Sequence, residues 1–129
     1  MKKALLTLTL ASALCANAQY QVLHDFNGTD GGNSVSSLIS DGTYLYGTTA
    51  GGGANGDGNI FKIKPDGTGF QNLHDFSGSD GKAPNGSLLS DGTYLYGTTA
   101  YGGTPFNVGT MYRIKPDGTG FGQLQNLYY

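Results

Sequence analysis

Short apolar runs broken by Gly-rich turns set the pattern of this chain, and the runs alternate with a period of two. In residues 43–49, Leu45, Gly47 and Thr49 fall on one side of an extended segment and Tyr44, Tyr46 and Thr48 on the other, so both faces carry bulk. Runs of this kind, bounded by turn signals, predict strands at about 36–40, 43–49, 59–64 and 70–76, and again at about 87–90, 93–99, 110–115 and 121–127. Asp41-Gly42, Asp66-Gly67, Asp91-Gly92 and Asp117-Gly118 sit between successive strands, because Asp and Gly accept the positive φ of a tight hairpin. The pattern is all-β.

The two sets of strands are copies. Residues 38–50, reading Leu-Ile-Ser-Asp-Gly-Thr-Tyr-Leu-Tyr-Gly-Thr-Thr-Ala, recur at 88–100 with Ile39 replaced by Leu89, an offset of 50. His24-Asp25-Phe26 returns at His74-Asp75-Phe76 with the same offset, and residues 63–70 return unchanged at 114–121 with an offset of 51. The added residue falls between Tyr101 and Thr110, which marks a surface loop. Four antiparallel strands in about 50 residues is the size of one propeller blade. A blade stacked between neighbours buries both faces of its sheet, which accounts for bulk on both sides and for Gly where backbones approach closely.

Composition narrows the class further. The 129 residues include 23 Gly, 9 Tyr, 6 Phe, no Trp and no Glu, and only 12% are charged. So much Gly argues against helices, and the recurring aromatics argue against disorder. Lys2 and Lys3, an apolar run over 4–16, and Ala16-Asn17-Ala18 before Gln19 have the layout of a secretory signal peptide over 1–18. The run is too short for a membrane anchor, so no membrane insertion is expected after cleavage. Cleavage would take the single cysteine, Cys15, leaving no disulfide or thiolate metal site. It would also leave Lys62, Lys64, Lys82, Arg113 and Lys115 against nine Asp, a net charge of −4. No basic patch for nucleic acid or anionic lipid is present, and the pairs Lys62/Lys64 and Arg113/Lys115 are expected on solvated strand faces.

The motif Phe76-x-Gly78-x-Asp80-Gly81-x-Ala83-Pro84-x-Gly86-x-Leu88, followed by Asp91-Gly92-x-x-Leu95-Tyr96-Gly97-Thr98-Thr99 and Gly102-Gly103, with Leu-x-x-Phe at 73–76, resembles the GloVer tandem-repeat family. The resemblance covers essentially all of the chain after the signal. It implies a bacterial secreted or surface protein of β-propeller type without an assigned activity. Ser34 stands where the second copy has Pro84, and Gln125-Asn126-Leu127 replaces His-Asp-Phe at the end of that copy. The expected architecture is therefore a partial β-propeller: a signal peptide at 1–18, an orphan outer strand (20–26) and loop within 19–34, one four-stranded blade at 35–76 and another at 77–129. Two blades cannot close a ring, so other copies of the chain or further repeats are the expected partners.

Candidate chemistry is sparse. His24 and His74 lie 50 residues apart at the ends of outer strands, where a shared metal ion has no place. Asp25-x-Asn27-x-Thr29-Asp30-Gly31 and Asp75-x-Ser77-x-Ser79-Asp80-Gly81 are similar to calcium loops, but Gly comes one position late and no bidentate Glu follows. Asp41, Asp57, Asp66, Asp80, Asp91 and Asp117 each precede Gly in a turn, so a glycosidase pair is not indicated, and no nucleophile elbow or phosphate loop is found. Neither an enzyme nor a cofactor is expected. The expected function is a secreted structural or interaction module, meeting a cell-surface protein. The alternative is a carbohydrate-binding module in which Tyr101 and Phe106 stack on a sugar while Asn107 and Asn55 hydrogen-bond it.

Overall fold

The structure is a computed structural model that describes residues 19–128; the signal-peptide assignment at 1–18 lies outside the described residues. It is all-β, with no helix among those residues, and comprises two antiparallel sheets. The first runs in sequence order through β1 (Ile39–Ser40), β2 (Leu45–Thr49), β3 (Asn59–Ile63) and β4 (Gln71–Asp75). The second repeats this order with β6 (Leu89–Ser90), β7 (Leu95–Tyr101), β8 (Thr110–Ile114) and β9 (Gly122–Asn126). A further strand not expected from the sequence, β5 (Lys82–Pro84), pairs with the far end of β7, beyond β6. In the first copy the same place holds only an isolated bridge between Gly32 and Gly51. Neither sheet closes on itself.

The hairpins form where Asp-Gly predicted them. Asp41 Oδ1 accepts the backbone N–H groups of Thr43 at 2.8 Å and Tyr44 at 2.7 Å, and Asp91 does the same for Thr93 and Tyr94. Asp66 and Asp117 each take the hydroxyl and N–H of the Thr two residues on. These side chains mimic a backbone turn and fix the register of the strands they join.

One expectation is corrected. Residues 20–26, expected as an additional strand, form none, and no backbone hydrogen bond joins them to any described residue. A strand needs a partner edge, and the place beside them holds no equivalent of β3. They nevertheless lie against the first sheet as the end of β4 lies against the second, with the Leu23 backbone over Gly67 as that of Leu73 is over Gly118, and His24 stacked on Phe70 as His74 is on Phe121.

The core lies between the sheets. Tyr46, Ile60 and Leu73 from the first sheet meet Leu95, Tyr112 and Ile114 from the second, with Leu88 from just ahead of β6 and Phe76 from the connection between the sheets. Register places Tyr46, Thr48 and Ile60 on one face of the first sheet, and all three are buried. Thr49, Asn59 and Phe61, on its other face, are buried too. Gly47 and Gly97 make this possible: a Cβ at Gly47 would come within 2.6 Å of Leu38 and 2.7 Å of Phe61, and one at Gly97 would strike the Tyr112 hydroxyl. Close approach, not turn geometry, requires glycine at both.

Candidate functional site

The loops close on themselves. Tyr101 ends β7 and is exposed. Phe106 is also exposed, and its ring neighbour is Tyr128, edge-on at 5.6 Å. Asn107 Oδ1 accepts the N–H of Gly102 at 2.7 Å, and Asn55 Nδ2 donates to the carbonyl of Phe76 at 3.0 Å. Each Asn thus uses half its amide within its own repeat, and what remains of the sugar arrangement is the exposure of two rings.

The carboxylates of the first hairpin in each copy are likewise committed. Asp41 sits below the ordinary carboxylate range, held there first by the N–H of Tyr44 and then by the Tyr46 hydroxyl, which donates to Oδ2 at 2.7 Å. The Tyr46 hydroxyl is pushed up by burial and by that same bond. Asp91 and Tyr96 repeat the pair at 2.7 Å, and Asp91 is lowered in the same way. A general acid needs a raised carboxyl pKa, and these shifts run the other way. A cleft of about 380 Å³ between the sheets is lined by Ile39, Asp41 and Tyr46 on one side and Gly92, Leu95 and Pro116 on the other.

Histidine and the basic side chains have structural partners. His24 stacks on Phe70 at 3.9 Å with its Nε2 2.8 Å from Asp30, and His74 stacks on Phe121 at 3.7 Å with Nε2 2.9 Å from Asp80. Asp30 Oδ1 also accepts the N–H of Asn27, so the loop that is similar to a calcium site is tied by its own bonds. No group of three metal-ligating side chains occurs among the described residues. Lys62 and Arg113, expected on solvated faces, lie over the rings of Tyr44 and Tyr94 at 4.5 and 4.4 Å. The signal for this was the shared two-residue alternation of Tyr and basic positions on paired strands, which only the register makes legible.

What remains open is the outside of the pair. On the second sheet Leu89 is 71% and Met111 40% exposed, whereas their counterparts Ile39 and Ile60 are half-buried and fully buried under that sheet. A shallow groove of about 210 Å³ crosses this face between Leu89, Tyr96, Thr98 and Met111. At the opposite end Leu38 is 46% exposed, although its counterpart Leu88 is only 4% exposed. A groove of about 320 Å³ opens there between Leu23, His24, Phe26, Leu38 and Phe61. Each end therefore shows one half of the contact that the middle of the molecule makes.

A protein made of like sheets, each built to be covered by the next, is a tandem-repeat protein. The chain belongs to the Gloeobacter/Verrucomicrobia repeat family, whose sequence profile matches residues 8–128. No curated protein and no solved structure matches it.

Proposed function

We propose that the chain is a secreted β-propeller-type repeat module with an interaction role, and that its working surfaces are the two open sheet faces, not a catalytic pocket. The observation that carries this is the exposure of Met111 and Leu89 where Ile60 and Ile39 of the first copy are covered. Apolar side chains that one copy buries in a neighbouring sheet, and the other leaves in water, favour association through the area they remove from solvent. Such contact is head-to-tail: the Leu38 end of one sheet pair meets the Met111 end of another. Heterologous contacts of this kind close into rings when the rotation permits, and propellers hold about four to eight sheets.

Sedimentation velocity on the purified protein tests the proposal. The wild-type chain is expected to form a defined oligomer at micromolar concentration, and Met111→Lys, which puts an unpaired charge into the contact, to weaken it about 100-fold or more. Leu38→Lys should do the same from the other end. A mixture of the two variants should recover a one-to-one dimer, since each keeps one intact face. A wild-type chain that stays monomeric overturns the proposal.

A further inference from the structure

β4 does two things at once. Its backbone pairs with β3, and its end packs onto the next sheet, with His74 stacked on Phe121 at 3.7 Å and Phe76 edge-on to Tyr112 at 5.1 Å. Residues 20–26 do the second of these alone. His24 stacks on Phe70 at 3.9 Å, Phe26 meets Phe61 edge-on at 5.1 Å, and Leu23 covers Gly67. Their backbone has no strand beside it, and Tyr20 and Val22 are exposed. At the other end of the molecule β9 does only the first thing: it pairs with β8, but Gln125, Asn126 and Leu127 stand where His-Asp-Phe would grip a following sheet, and Leu124 is 45% exposed.

We infer that residues 20–26 of one chain pair as a strand with β8 of a second copy, in the place its own β9 holds. The inference rests on the head-to-tail reading above and gives it a register. In the first sheet Lys62, Phe61, Ile60 and Asn59 face Gln71, Asn72, His74 and Asp75. The repeat carries these pairs onto Arg113, Tyr112, Met111 and Thr110 of one chain facing Gln21, Val22, His24 and Asp25 of the other. Plain docking would place residues 20–26 and the neighbour's β9 in the same position, because both descend from the β4 position of the repeat. Exchange removes that conflict. The ladder given up with β9 is remade along the same edge, so backbone hydrogen bonding is conserved. The gain is apolar: Met111 enters the groove lined by Phe26, Leu38 and Phe61, as Ile60 is enclosed within the chain. Asp25 acquires the role of Asp75, whose Oδ1 accepts the N–H of Ala54 at 3.0 Å; the matching residue in the second copy is Thr104.

Disulfide trapping tests this in the full chain carrying Cys15→Ser, so that no native thiol competes. Gln21→Cys with Arg113→Cys is expected to give covalent dimers and larger species on a non-reducing gel, because the two positions are register partners only across the exchanged strand. Each single variant serves as control. A second variant, Gln21→Pro with Val22→Pro, removes donors that have no partner within one chain; it should leave the monomer's far-ultraviolet circular dichroism intact and weaken association at least about tenfold. Oligomers that form normally in both experiments but never cross-link overturn the exchange while leaving the head-to-tail contact standing. A chain that does not associate overturns both.

Discussion

Tyr112 shows how a single atom is accommodated in a repeated core. It is fully buried between the sheets, its hydroxyl finds no hydrogen-bond partner among the described residues, and burial drives its pKa upward. The first copy has Phe61 at this position, packed against Gly47 without that burden. An unsatisfied buried hydroxyl costs about 1–3 kcal/mol, so Tyr112→Phe is expected to stabilise the fold by roughly 1 kcal/mol, read as a higher urea midpoint. Gly97→Ala should cost about 1–3 kcal/mol, since the new Cβ strikes the Tyr112 hydroxyl before anything else. The clash outlasts the hydroxyl: in the Tyr112→Phe background the Gly97→Ala penalty should largely persist, because ring Cζ still lies 2.5 Å from the new Cβ.

At the scale of elements, the hairpins and the loop over residues 27–31 depend on ionised Asp. Asp30, Asp41, Asp66, Asp91 and Asp117 all lie below the ordinary carboxylate value, with backbone N–H groups or Thr hydroxyls as the leading cause. A carboxylate lowered by folding contributes stability that is fully present above the unfolded pKa, about 3.9, and is lost as pH falls through the folded one. Thermal stability is therefore expected to be level near neutrality and to fall below about pH 4. Asp41→Asn should lower it at neutral pH, with the difference from wild type closing in acid as Asp41 itself protonates. These hairpins were legible in the sequence because Asp-Gly acts locally. β5 was not, because it depends on a distant partner, Thr99 to Tyr101, and its counterpart in the first copy has Ser34 where Pro84 lies. The strand expected at 20–26 failed for the converse reason: its sequence matches β4, but a strand exists only where a neighbour offers an edge. The seats of His24 on Phe70 and Lys62 over Tyr44 also required pairing across the fold before they could be seen.

The whole molecule carries its unfinished contacts at both ends and a net charge of −4 once the first 18 residues are set aside. These two facts act in opposite directions on assembly. Apolar faces centred on Met111, Leu89 and Leu38 favour stacking, while like charge on every copy opposes approach. Salt screens the second far more than the first, with a Debye length of about 10 Å at 0.1 M and about 3 Å at 1 M. Association should therefore strengthen as sodium chloride is raised, the reverse of what an ion-paired interface would do. Binding that favours the folded state also raises apparent stability by mass action. The melting temperature of the wild-type chain should climb with protein concentration, more steeply at high salt, and that of Met111→Lys should stay flat across the same range. Differential scanning fluorimetry over a matrix of protein and salt concentrations separates the cases. A wild-type melting temperature indifferent to protein concentration would show that the exposed face of the second sheet is not held by another copy, and a rise that salt abolishes would assign the contact to charge instead of to Met111 and Leu89.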